Sequence, residues 1–287
     1  EDLWELCNKT IASDDFCARN IINISNVSVL CTTDDPADSL EYHKAIAKDK
    51  SFKCFVLPSF RPDNAILIEK PGYIDYISRL SDVCQVKINS LDTLKDALTL
   101  RVNYFKENGC VVSDHGLTDI PFNPVSESEA NTIFKKRLNG ITLSLDEVEK
   151  FQTYMLLFLH SKYKEVGLVS QLHYGCKRDN NESMFEKIGP NTGFDAISSV
   201  TSGNKLADFL NLLNNNDSLG KMIVYSLNPN DNDIIDTVIA CFQDGKSANK
   251  LQHGSAWWFN DNKPGMEKHL ESLANNSNLS GSVGMLT

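Results

Sequence analysis

With 287 residues, 41% of them hydrophobic and 23% charged, the chain is long enough to bury a full core, either as one large α/β barrel or as two smaller domains. Its net charge of -10 argues against nucleic acid or an anionic membrane as the main partner, because like charges repel. A small anion held in a local arginine pocket stays open.

Taken in chain order, short apolar runs alternate with amphipathic ones. Strands are expected at 27–32, 53–58, 110–113, 168–173, 222–227, 251–255 and 283–286. Most are continuous rather than alternating, the pattern of parallel strands covered on both faces. Between them, Asp35-Pro36 reads as an N-cap with proline at the first helical position, opening a helix over 37–48. Apolar residues at helical spacing predict helices over 91–107 and 231–242. Ser144 and Glu147 form a capping box that starts a long helix running to 165, stopped at Gly167. No repeat or flexible linker breaks the series, so a single domain over 1–287 is expected.

Strand–helix alternation leaves the open doubly wound sheet and the closed barrel. No glycine-rich phosphate loop follows the first strand, which weakens the nucleotide-binding version of the former. Polar residues cluster just after the strands, as at Asp34, Arg61, Asp114, His173 and Trp257. In a (β/α)8 barrel those positions share one mouth, so the expected fold is an α/β TIM barrel. Seven strands are one short of closure. Both ends look cut, with no initiator methionine and a strand-like run up to Thr287, and a fragment is expected.

Arg61, in Leu57-Pro-Ser-Phe-Arg-Pro-Asp63, suits bidentate capture of a carboxylate, but a salt bridge to Asp63 or a nearby acid explains it equally well. His173 ends an apolar strand ahead of Gly175. A lone histidine there is commonly a satisfied core residue; the strand-end position favours binding a sugar hydroxyl, acid–base work or metal ligation. Arg178 is a second anion-binding candidate, against a solvated loop charge. Asp114 and His115 are adjacent and so face opposite ways on a strand, which favours a structural role over a catalytic pair. His43, His160 and His269 sit in helical patterns as packing or surface residues, and His253 is placed facing the barrel core. Of Trp257 and Trp258, one is expected in the core and Trp257 in the pocket, where its indole can stack on a sugar ring. The eight scattered cysteines form no CxxC pair and read as reduced thiols. There is no HxH, HExxH, GxSxG or Walker motif, so no metal ligands and no acid–base engine are assigned. With no signal peptide, lipidation motif or apolar stretch of membrane length, the chain reads as cytoplasmic.

Thr32-Thr-Asp-Asp-Pro-Ala-Asp-Ser-Leu-Glu-Tyr-His43, Pro58-Ser-Phe-Arg-Pro-Asp63, Ser113-Asp-His-Gly116, Gln171-Leu-His-Tyr-Gly175, Asn191-Thr-Gly-Phe-Asp195, Tyr225-Ser-Leu-Asn-Pro-Asn-Asp231 and Gly254-Ser-Ala-Trp-Trp-Phe-Asn-Asp261 together resemble the uronate isomerases of the amidohydrolase superfamily. The resemblance covers the chain in order. It implies interconversion of D-glucuronate with D-fructuronate, and of D-galacturonate with D-tagaturonate, by proton transfer between C2 and C1 through a cis-enediol-type intermediate. It implies a small-molecule hexuronate as partner, with a homo-oligomer possible. Arg61, His173, Arg178 and Trp257 match pocket residues around the sugar acid. The family's divalent metal, commonly zinc, is held by an HxH pair on the first barrel strand and an aspartate after the last. Both motifs, and a His-Tyr pair after the first strand, are missing here. The resemblance therefore implies that this chain supplies strands two to eight, binds metal poorly and is inactive alone. A metal-dependent hydrolase of the same superfamily and a non-catalytic sugar-acid binding module are the rival readings.

Overall fold

The computed structural model describes residues 2–198 and 203–282. Its strands are β1 (Val29–Cys31), β2 (Phe55–Leu57), β3 (Ser59–Phe60), β4 (Val112–Gly116), β5 (Val169–Tyr174), β6 (Cys176–Lys177), β7 (Ala196–Ile197), β8 (Met222–Ser226) and β9 (Leu251–His253). β1 pairs with β2, and β3, β4, β5, β8 and β9 follow one another, every pair parallel. β2 and β3 are one extended run interrupted at Pro58, which has no N–H to give to a ladder. Pairing continues across the gap, since Thr32 N donates to Leu57 O, Asp34 N to Ser59 O and Arg61 N to Asp34 O. Parallel neighbours in sequence order, with helices in the connections, are the arrangement of a (β/α) barrel.

Six of the seven expected strand positions carry these strands; the seventh, 283–286, lies outside the described residues. The boundaries move in one place that matters. The third expected strand, 110–113, is observed as Val112–Gly116, so Asp114 and His115 lie within it rather than after it. The helix expected over 37–48 runs only from Glu41 to Lys48. Asp35 Oδ1 accepts from Ala37 N at 2.8 Å, so the Asp-Pro signal builds a tight turn, and Leu40 at φ 54° marks where the helix starts. Helix Leu91–Glu107 begins at a reciprocal Ser90–Thr93 capping box, and helix Leu145–Val166 at the Ser144–Glu147 box, ending on Gly167 at φ 71°. β6 and β7 form a small antiparallel hairpin not foreseen, enclosing helix Glu182–Ile188.

Because successive side chains on a strand alternate, one face of the sheet meets the helices and the other faces the interior. On the helix side, Phe60 packs edge-on against Phe105 at 5.1 Å between ring centroids and against Tyr163 at 6.1 Å. Leu172, Val224 and Leu251 join them in one buried apolar cluster with Phe134, Phe151 and Phe209. His160, on helix Leu145–Val166, is inside this layer. Its Nδ1 lies 2.8 Å from Leu156 O and its Nε2 3.0 Å from Ser170 Oγ on β5, tying helix to sheet. Burial, helped by the nearby His115 charge, depresses its pKa to about 3.

That depression sets a sign. A neutral histidine with a lowered folded pKa contributes its full stability above the unfolded value near ~6.5, and the contribution falls as pH drops toward 3. Urea denaturation is therefore expected to find about 2 kcal/mol less stability from this group at pH 5 than at pH 7. His160→Gln should be less stable at pH 7 yet lack that part of the pH dependence.

Candidate functional site

Arg61 is placed by the strand it terminates. β3 ends at Phe60, Pro62 stiffens the next step, and Asp63 opens the short helix Asp63–Ile66. Nε of Arg61 donates to Asp63 Oδ2 at 2.9 Å and Nη1 to Asp114 Oδ2 at 3.1 Å. The guanidinium thus bridges the end of β3 to β4. Asp63 is held from three sides, for Gly116 N donates to Oδ2 at 2.9 Å and His115 Nδ1 lies 3.1 Å from Oδ1. Burial pushes its carboxyl up, but the His115 bond and charge, Arg61 and the Gly116 N–H outweigh it and leave a pKa of about 2. At Asp114 burial is likewise opposed by His173 and Arg61, and the net direction is downward.

Gly116 is what lets the guanidinium lie across the strand end. A Cβ there would stand 1.8 Å from Arg61 Nη2 and 3.0 Å from its Cζ. Gly254 has the same relation to Tyr225, whose ring a Cβ would meet at 2.0 Å.

His173 follows from register. It pairs with Gly116 on β4 and Tyr225 on β8, so the Tyr225 ring is its same-face neighbour. The two rings stack at 4.3 Å with 7° between planes, and Trp257 meets the imidazole edge-on at 5.0 Å. His173 Nδ1 lies 2.7 Å from Asp114 Oδ1. Arg178, just beyond β6, donates to Asp195 Oδ2 at 2.7 Å and lies over the Trp258 ring at 4.6 Å.

Arg61, Asp114, His173, Arg178, Tyr225 and Trp257 all line one open cavity of about 1570 Å³. The four candidate residues are brought together, but several readings change. Two donors of Arg61 are committed to Asp63 and Asp114, the salt bridges expected as the alternative to carboxylate capture, so a bidentate grip with every donor free is not available. Neither tryptophan is core: Trp257 is half-buried and Trp258 exposed, because both sit past the end of β9 at the cavity rim. His253 does not face the barrel interior. It is in register with the outward Val224, and its Nδ1 lies 3.0 Å from Asp236 Oδ1 in helix Asn232–Ala240. His43 takes the packing place of its two expected ones, with Nε2 2.7 Å from Thr32 Oγ1. His115 takes a structural place between Asp63 and Tyr163 OH, 3.0 Å from the latter. Asp114, expected near the strand-end mouth with a structural role, lines the pocket itself, with Oδ2 on Arg61 and Oδ1 beside His173. The signal was strand parity, visible once the strand is carried on to Gly116.

Among the described residues no group of three or more His, Cys, Asp or Glu could hold a metal ion, so the residues present do not fit the divalent metal that the resemblance implies. No helix among them is long and apolar enough to cross a membrane.

The family model for glucuronate isomerase matches residues 1–287. The chain belongs to that family. It is 47% identical over 287 residues to a uronate isomerase of Endomicrobium trichonymphae, covering all of this chain and 61% of that protein. It is 50% identical over 287 residues to one of Lachnoclostridium phytofermentans, covering 62% of it. The chain thus spans about three fifths of the length of these relatives. Among solved structures, the uronate isomerase of Thermotoga maritima superposes with a TM-score of 0.86 at 32% identity, over 94% of this chain and 58% of that one. The glucuronate isomerase of Caulobacter crescentus gives 0.83 at 25% identity, over 94% and 55%. The TIM-barrel-like fold of the family is the fold described above.

Gly116→Ala should push Arg61 off both carboxylates and lower stability by about 2 kcal/mol, a figure reduced for the partial exposure of the guanidinium. In a double-mutant cycle read by urea denaturation, the cost of Gly116→Ala should largely vanish in the Arg61→Ala background.

Proposed function

We propose that the chain forms the substrate-holding part of a uronate isomerase, a sugar-acid aldose–ketose isomerase that interconverts D-glucuronate with D-fructuronate and D-galacturonate with D-tagaturonate. The observation that carries this reading is the convergence of Arg61, His173, Arg178 and Trp257 on one open cavity at the strand ends of a chain belonging to the glucuronate isomerase family. The hexuronate is small, polar along one edge and anionic at one end, and those residues offer a matching set of groups.

In this reading Arg61 gives the Nη2 N–H groups that Asp63 and Asp114 leave free, so it contacts a substrate oxygen at one point. Arg178, on the β6–β7 hairpin, can trade its exposed pairing with Asp195 for the sugar carboxylate. The half-buried face of Trp257 covers the carbon chain of the open sugar, and His173 takes a hydroxyl. The proton shift between C2 and C1 then needs an acid–base group, which none of these four residues is assigned to be. A divalent metal such as zinc, implied by the family resemblance, would need ligands other than the described residues.

Charge balance supports the same division. Arg61 is already matched by two carboxylates, so a uronate gains little net attraction from it alone. The purified chain is expected to bind D-glucuronate weakly by calorimetry and D-glucose more weakly still, with no glucuronate-to-fructuronate turnover. Arg178→Ala should reduce the glucuronate affinity about tenfold while leaving the fold intact. Equal binding of glucose and glucuronate would refute the sugar-acid reading; robust turnover would place the acid–base groups within this chain.

A further inference from the structure

We propose that Asp114 is a positioning residue that fixes the tautomer of His173, so that the imidazole presents Nε2 to the cavity as a hydrogen-bond acceptor for a substrate hydroxyl. The proposal deepens the sugar-acid reading above and rests on it for the identity of the ligand.

The argument begins with a buried oxygen. Asp114 Oδ1 is shielded from solvent and makes no well-aligned hydrogen bond among the described residues, and His173 Nδ1 lies 2.7 Å from it. The oxygen lies off the axis of an ideal hydrogen bond, but two lone pairs facing each other at that distance would repel. A proton must lie between them. The second oxygen is engaged by Arg61, and the carboxyl is held below its usual pKa range, so Asp114 is the anion. The proton therefore belongs to Nδ1, and a neutral His173 carries its lone pair on Nε2.

The ring cannot easily turn to change this. Tyr225 covers one face in near-parallel stacking and Trp257 closes on its edge, while Gly254 leaves the room that Tyr225 needs. Nε2 makes no hydrogen bond among the described residues and is not a sealed, unsatisfied atom, and His173 lines the cavity. Its lone pair thus opens toward the space where the ligand would sit. A hydroxyl donates to such an atom; a carboxylate, having no proton, does not. Asp114 accordingly sorts the two ends of a uronate, keeping the anionic end at the arginines and turning the polyol edge toward His173.

Asp114→Asn makes a sharp test because Arg61 dictates how the new amide lies. The guanidinium can only donate, so the amide oxygen turns to Arg61 and the NH₂ group faces Nδ1. Nδ1 must then accept, and the ring proton moves to Nε2. Nitrogen NMR of ¹⁵N-histidine-labelled protein at neutral pH reads this directly, with the His173 signal among the six histidines assigned through His173→Gln. Wild type should be the Nδ1–H tautomer, and Asp114→Asn should switch it to Nε2–H while glucuronate affinity falls about tenfold. Loss of packing alone would not exchange one tautomer for the other.

Should Asp114→Asn not fold, the wild-type spectrum decides by itself: an Nε2–H tautomer there overturns the proposal, as does an unchanged tautomer in a folded variant. A tautomer switch in a protein that binds no uronate upholds the Asp114–His173 relation and refutes the sugar-acid reading instead.

Discussion

The site depends on a buried ion pair shared three ways. Asp63 and Asp114 arise from different strand–helix units, and Arg61 between them, with His115 on one carboxylate and His173 on the other, keeps both ionised in their buried positions. The guanidinium in turn can lie there only because Gly116 has no side chain. The pair also joins β3 to β4 where the shared ladder is short, covering only two residues of each strand. One cluster therefore performs both a structural and a site-building task, and its energetic value lies less in net stability than in fixing where the charges are.

From that cluster the arrangement extends outward by register. Asp114 and Gly116 are two residues apart on β4 and face the same way; His173 lies opposite Gly116, and Tyr225 opposite His173. A parallel sheet sets such neighbours about 5 Å apart, which is the distance at which aromatic rings stack. Sheet geometry, rather than any local motif, brings the imidazole against the phenol. The outward face of the same strands makes the complementary choice: His115 reaches back to Asp63 from the helix side, and His160 bonds Ser170. Histidines on the two faces thus have unlike environments, His173 open to the cavity and His115 and His160 deprived of water.

Much of this was legible in the residues. Continuous apolar runs separated by capped helices gave the barrel, because both faces of its strands are covered and its helix starts need side-chain acceptors. Arg61, His173, Arg178 and Trp257 could be placed at the mouth from their position after a strand alone. Pairing was legible only as an open alternative. Whether Arg61 has free donors depends on Asp63 and Asp114, the latter 53 residues away, and no local spacing reports it. Asp114 was given a structural role instead of a place among the pocket residues because a strand end set three residues early, at 113 and not 116, turned a within-strand residue into a loop residue. His253 was assigned to the wrong face for a related reason: strand parity fixes a face only once register with a neighbour is known. The tryptophans failed a different rule, since bulk argues for burial only when a covering layer exists, and past the end of β9 they have an open rim.

The proposed function has a chain with ten more negative than positive charges hold an anion, and the local charge balance allows both. Within the cavity each arginine already has a carboxylate, Arg61 two and Arg178 one. Those acids do not cancel the site; they hold guanidinium groups in place in the free protein, so that little side-chain freedom is lost when a ligand binds. The two arginines differ in what they can release. Asp63 and Asp114 are buried and tied to further partners, so Arg61 cannot leave them without stranding charge. Arg178 is more exposed, and its links to Asp195 and the Trp258 face are ones that water can replace. Under the proposed function, discrimination for a carboxylate would therefore fall to the movable arginine at the rim, while the fixed one would set the frame in which the rest of the sugar is read.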